Sequence, residues 1–216
     1  MAGSDGNAGG LGGALVLGIG NVLWADEGFG VRAVEALHAA YMLPGAVELL
    51  DGGTQGLNLL EPVISHGAVL VFDAIDFRLQ PGSLRVLRDR EVPAWAGAKM
   101  SLHQQSFQEL LAIADLQGRF PPRLTLIGVQ PERLADFGGS LSESVRARLP
   151  LAVELAVVEL ARWGFPPRSR VDEAPERLNA EALSLGAYES GRPDASAACR
   201  VGDARFLNRR HDLESR

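Results

Sequence analysis

The chain has 216 residues, 46% of them apolar, which suits one sizeable globular domain with or without tails. Its net charge of −6, and the lack of a Lys/Arg block in the first two thirds, argue against general nucleic-acid binding, which needs a basic face to neutralise phosphates. A single cysteine, Cys199, excludes an internal disulfide and any CxxC pair, so a reducing, cytoplasmic setting is expected, with any metal held by oxygen and nitrogen.

Residues 1–13 are rich in Gly and small polar residues and lack the basic start and long apolar stretch of a secretory signal; a flexible lead-in is expected. No apolar run approaches the roughly 20 residues that cross a bilayer, so no membrane association is expected. Ala14 to Ile19 (ALVLGI) reads as the first strand. After a glycine-bearing turn, Val31, Val34, Leu37 and Tyr41 recur at spacings of three and four and predict a helix from about Phe29 to Tyr41, ended by Pro44-Gly45. Val47 to Leu50 predicts a second strand running into Asp51-Gly52-Gly53-Thr54, and Leu57 to Ile64 a short helix.

Ala68 to Asp73 (AVLVFD) is apolar without alternation until its last residue, as in a strand covered on both faces. Strand-helix-strand crossovers of this kind imply parallel neighbours. Ser83 to Leu87, introduced by Pro81-Gly82, alternates polar and apolar residues and predicts an edge strand that could run antiparallel. A loop from Pro93 to His103, a helix from about Gln105 to Leu116, a strand from Leu124 to Val129 and a helical region from about Ser142 to Trp163, split or kinked at Pro150, complete the pattern. The expected fold is therefore α/β: a mainly parallel twisted sheet of about five strands with helices on both faces, phosphorylase/hydrolase-like, over residues 14–167. Beyond Pro166-Pro167 large apolar residues are sparse, so 168–216 is expected to be a disordered polar tail, with room for a short helix near Glu176 to Tyr188.

Gly18-Ile19-Gly20 sits between a strand and a helix and invites comparison with the dinucleotide fingerprint, but Leu23 stands where the third glycine belongs. Asp26 and Glu27 at the helix start also oppose a pyrophosphate, which would want bare N–H groups and positive potential. Taken alone, that acidic pair would cap and compensate the helix N-terminus. Asp73 closes the central strand, however, and His103 enters the next helix, so Glu27, Asp73 and His103 can meet at the carboxyl rim of a parallel sheet, where such folds bind ligands. Two carboxylates and an imidazole suit Ni, Zn, Co or Mn and leave coordination positions open. His38, His66 and His211 lack ligand-like neighbours and read as packing or surface residues. Asp51 marks another strand end, either an ordinary turn or a site where glycines let a ligand approach. No G-x-S-x-G elbow or H-E-x-x-H helix occurs, so peptidase chemistry here would need another device.

Leu17-Gly18-Ile19-Gly20-Asn21-Val22-Leu23 together with Asp26-Glu27-Gly28-Phe29-Gly30-Val31-Arg32 resembles the opening of the [NiFe]-hydrogenase maturation endopeptidases of the HupD/HyaD/HybD type. The likeness continues through Leu50-Asp51-Gly52-Gly53-Thr54, Phe72-Asp73-Ala74-Ile75-Asp76, Pro81-Gly82, Glu91-Val92-Pro93, Ser101-Leu102-His103-Gln104 and Leu126-Ile127-Gly128-Val129-Gln130-Pro131-Glu132. The resemblance implies an endopeptidase that removes a C-terminal extension from a hydrogenase large-subunit precursor once nickel is in place. It puts the metal-binding residues on Glu27, Asp73 and His103; nickel is expected to be presented by the substrate, and a monomer is the default expectation. Asp51 is the expected general base or orienting group, with Asp76 as second choice. Two other readings are a non-catalytic nickel-sensing scaffold and, more weakly, a nucleotide-dependent oxidoreductase.

Overall fold

A computed structural model of the protein describes residues 12–95, 102–134, 136–171 and 175–192; the side chains of residues 94, 95 and 102–106 lie outside the described set. Five strands form the main sheet: β1 (Ala14–Ile19), β3 (Val47–Gly53), β4 (Ala68–Ala74), β5 (Leu84–Arg88) and β6 (Arg123–Val129), in the spatial order β3-β1-β4-β6-β5. All neighbours are parallel except β5, which runs antiparallel to β6 at the edge, as its alternating sequence predicts. The central strand β4, on the other side of β6, is buried at every position, the reason its sequence carries no polar alternation before Asp73.

The pleat of β4 assigns its side chains to two cores. Ala68, Leu70, Phe72 and Ala74 face α1 (Phe29–Ala40) and α6 (Leu149–Arg162), whereas Val69 and Val71 join Leu59, Val63, Leu110 and Leu111 from the segment around α2 (Leu60–Ser65) and α4 (Leu102–Leu116). Pro150 does not bend α6 but occupies its first turn, where its missing N–H costs nothing; α5 (Glu143–Arg146) is thereby separate. A short helix α3 (Glu91–Trp95) begins the stretch expected as a loop, and α4 starts three residues earlier than its periodicity suggests, so His103 lies in its first turn rather than in the loop before it. Among the described residues no helix is long and apolar enough to cross a membrane.

The stretch expected to be a disordered tail is folded over part of its length. β7 (Arg168–Ser169) pairs antiparallel with β2 (Tyr41–Met42), and residues 175–192, with α7 (Leu185–Ser190), lie against α1 and α5. The segment holds on by polar contacts that leave no apolar period. His38 Nε2 lies 2.8 Å from the Glu176 carbonyl, Arg32 donates to the Leu183 carbonyl, Tyr188 Oη donates to the Gly139 carbonyl, and Glu189 takes both Arg146 and Ser140. Residues 1–11 and 193–216, where the rest of the expected flexible ends falls, lie outside the described residues.

One buried charge helps to fix α6 on the sheet. Glu159, 2% exposed, accepts hydrogen bonds from Thr125 Oγ1 at 2.9 Å and from Arg88 at 3.1 Å, and pairs with Arg162. Burial alone would push its carboxyl up, but the donors outweigh that and hold it below the ordinary range. A depressed carboxylate contributes stability above the unfolded-state pKa and loses it as pH falls through the folded value. Glu159→Gln should therefore cost about 1–3 kcal/mol near neutrality. Urea unfolding should show the gap to wild type narrowing in acid, and a gap independent of pH would contradict this.

Candidate active site

The residues between β1 and α1 make a turn that only glycines allow. Gly20 has φ +133°, and a Cβ there would fall 1.7 Å from the Glu27 carbonyl oxygen. At Gly30 an added Cβ would lie 2.2 Å from the Ile19 carbonyl oxygen and 2.3 Å from that of Phe72. The 3-10 turn Ala25–Gly28 and the start of α1 are thus pressed onto the ends of β1 and β4, and the space a dinucleotide fingerprint would leave for phosphate is filled by the chain's own backbone. The glycines serve close packing, which removes the motive for the nucleotide reading.

This packing puts Glu27, on the 3-10 turn, beside the end of β4, where Asp73 is 3% exposed and lies opposite Gly128 of β6. Glu27 is only partly exposed, and desolvation raises its pKa above the ordinary glutamate value. His103 is the second residue of α4, and its side chain lies outside the described residues. One turn further along α4, Phe107 shares a buried cluster with Ile19, which ends β1, and Ile75, just past β4. The helix carrying His103 also packs on the turn Gly56–Leu59 that follows β3. Half-buried oxygen donors with a carboxyl pushed up by burial are chemically suited to a divalent cation, whose charge favours the ionised form.

Asp26 has a different part from its neighbour, and from the capping role that an acidic pair at a helix start suggests: neither the 3-10 turn nor α1 has a side-chain cap. Fully buried, Asp26 accepts from the backbone N–H groups of Glu132 (2.9 Å), Arg133 (2.7 Å) and Ser142 (2.6 Å) and from Ser142 Oγ (2.9 Å). Four donors on one carboxylate tie Glu132, Arg133 and Ser142 to the turn bearing Glu27. The same connection brings Phe137 against Trp24, ring centroids 5.3 Å apart, and leaves Leu23 and Phe137 exposed beside the site.

Of the two candidate bases, Asp76 helps to build its own loop: its Oδ1 accepts from the Arg78 N–H at 2.9 Å and from Gln130 Nε2 at 3.2 Å. Asp51, near the end of β3 beside Gly18 of β1, is half-buried, and desolvation raises its pKa although its Oδ1 accepts from the Gly53 N–H at 2.9 Å. It sits one strand from Glu27's and two from Asp73's along the same edge. Asp26 and Gln130 escaped the sequence reading as site-building residues, because each works through partners far along the chain or through backbone atoms.

Residues 31–159 match the family model described as hydrogenase maturation protease. The chain belongs to the hydrogenase maturation protease family. It is 54% identical over 194 residues to the hydrogenase expression/formation protein HoxM of Azotobacter vinelandii, covering 89% of this chain and 93% of that protein. It is 57% identical over 188 residues to HupD of Rhizobium leguminosarum bv. viciae, covering 86% of this chain and 93% of that one. Its fold matches the hydrogenase maturating endopeptidase HybD from E. coli with TM-score 0.71 at 41% identity, 74% of this chain accounting for 99% of HybD. The protein is accordingly an enzyme that hydrolyses peptide bonds, not a non-catalytic scaffold or a nucleotide-dependent oxidoreductase. A HoxM match over 89% of the chain takes in residues 175–190 wherever it begins, so the folded C-terminal segment falls within the resemblance.

Asp26→Ala would leave three N–H groups and a hydroxyl without their acceptor, at roughly 1–3 kcal/mol for each that stays buried. The variant should melt well below wild type, and its amides at Glu132, Arg133 and Ser142 should exchange faster. Unchanged protection at those three amides would show that the loop is held by something else.

Proposed function

We propose that this enzyme acts in the cytoplasm, removing the C-terminal extension of a [NiFe]-hydrogenase large-subunit precursor after nickel has been inserted. The observation supporting this reading is that the 3-10 turn bearing the half-buried Glu27 packs on β4, whose carboxyl end carries the buried Asp73. Oxygen and imidazole donors suit nickel, and burial that disfavours Glu27's charge makes a cation a favourable partner. Nickel in this reading belongs to the substrate: Glu27, Asp73 and His103 engage it only when the precursor brings it, so recognition of the metal and permission to cut are the same event.

The nickel would supply Lewis-acid polarisation at the bond to be cut. Asp51 accepts a proton from the water whose oxygen attacks the scissile carbonyl carbon; the C–N bond breaks, and the departing nitrogen takes up the proton. A base works best when its pKa approaches the working pH, and burial moves Asp51 in that direction. Asp76 is the poorer candidate, since its carboxylate already supports residues 76–79 through Arg78 and Gln130. The exposed Leu23 and Phe137 give the precursor an apolar edge to lie on next to Glu27.

The test is intact-mass measurement of a large-subunit precursor, with and without inserted nickel, after incubation with wild type, Glu27→Ala or Asp73→Ala. Loss of one C-terminal peptide from the nickel-loaded form alone, reduced by about 100-fold or more in rate in either variant, is expected. Cutting of the nickel-free form would sink the metal checkpoint, and an unchanged mass for both forms would sink the substrate assignment.

A further inference from the structure

Strands β3, β1, β4 and β6 stand side by side in that order, and each is followed at its carboxyl end by a loop with one large apolar side chain left exposed. These are Leu57 after β3, Leu23 after β1, Leu79 after β4 and Phe137 after β6. β5 starts at the same edge and runs back from it, so the stretch bearing Leu79 stays there. Isolated exposed leucines are ordinary on a protein surface. These four instead occupy adjacent strand ends, and the inner two strands, β1 and β4, are the ones that lead to Glu27 and carry Asp73.

The side chains stand on backbone that is fixed. The Leu23 N–H donates to Asn21 Oδ1 at 3.0 Å, and its carbonyl accepts from the Gly138 N–H at 2.7 Å, which ties the Leu23 loop to that of Phe137. The Leu79 N–H donates to Oε1 of the buried Gln130 at 3.1 Å. Leu57 belongs to the turn Gly56–Leu59, which packs on α4 and buries Leu59. Loops already held in place lose little freedom when a partner covers them, which favours affinity. Leu116, the most exposed of the large apolar residues described, lies at the opposite edge: its neighbour Asp115 pairs with Arg90, just past the end of β5.

We propose that Leu23, Leu57, Leu79 and Phe137 form an apolar seal that closes on the folded body of the large-subunit precursor and shuts water out from Glu27 and Asp73 while the nickel is engaged. This rests on the reading of the nickel-loaded precursor as substrate. A metal held inside a folded protein reaches a carboxylate on this edge only if the body that holds it comes down on the surrounding loops. Four adjacent strands at roughly 4.8 Å spacing make that landing place a surface rather than a slot. Excluding water strengthens the attraction between carboxylates and nickel, since charges interact more strongly in a low-dielectric setting. The same closure over a nickel-free precursor withdraws two carboxylates from water without bringing a cation, which costs free energy. The seal therefore converts the presence of nickel into a difference in affinity, and polar side chains at its positions let water in and narrow that difference.

The test compares full-length wild type with Leu57→Ser, Leu79→Ser and, as control, Leu116→Ser. Intact-mass kinetics on the nickel-loaded precursor give kcat and KM, and the nickel-free precursor added as competitor gives its Ki. In wild type Ki should exceed KM. Each rim variant should raise KM about tenfold with kcat little changed, because a polar group replaces buried apolar surface. Ki should stay within about twofold, since the lost contact is offset by carboxylates that remain wet. The preference for the nickel-loaded form then shrinks about tenfold, while Leu116→Ser behaves as wild type. A parallel rise of KM and Ki would make the rim a plain apolar contact that ignores nickel and would overturn the proposal, as would a KM unmoved in both rim variants. Competition by a free peptide of the extension as strong as that by the nickel-free precursor would overturn the folded body as the partner. A wild-type Ki equal to KM would overturn the reading of the nickel-loaded precursor as preferred substrate, and the seal with it.

Discussion

The contact on which the site depends is the one between the buried Asp26 carboxylate and the donors of residues 132, 133 and 142. A carboxylate is tolerated without solvent only when its oxygens are fully engaged, and here the engagement spans more than 100 residues of sequence. It joins the turn after β1 to the loop after β6, so the two segments that flank Glu27 and Asp73 cannot part without stranding a charge. The apolar edge formed by Leu23, Trp24 and Phe137 is a by-product of the same tie.

Steric fit supplies the other half of the arrangement. Hydrogen bonds from Asp26 hold the turn laterally, while the absence of side chains at Gly20 and Gly30 lets it descend onto the strand ends. The carboxylates are then half withdrawn from water, which raises the pKa of Glu27 and of Asp51 and leaves each short of solvation that a ligand can replace. On the opposite, helical layer Glu159 shows the contrary balance: enough donors converge on it to overcome burial, and it acts as a fastening for α6.

Most of the sheet was legible because its determinants are local. The unbroken apolar run of β4 announced a central strand, the alternation in β5 an antiparallel edge, and Pro150 a helix boundary. Glu27 and Asp73 could be placed on one rim from strand ends alone, and the structure brings their elements together. What escaped lacks a local signature. Asp26 looks like any helix-start acid until its partners, 106 to 116 positions away, are seen. Asn179 sits in a polar segment that binds through carbonyls and charges, so hydrophobic periodicity had nothing to report, and the segment read as a tail.

The glycine-lined turn also bears on how tolerance to substitution would be distributed along this chain. Gly20 and Gly30 are closed to side chains by backbone oxygens, whereas the proposed roles of Glu27 and Asp73 rest on their carboxylate oxygens. A survey of variants would find both kinds of position intolerant for opposite reasons, the glycines through loss of folded protein in the cell and the carboxylates with abundance intact. Within one short stretch of sequence, constraint from architecture and constraint from chemistry alternate almost residue by residue, and only a measure of how much protein survives tells them apart.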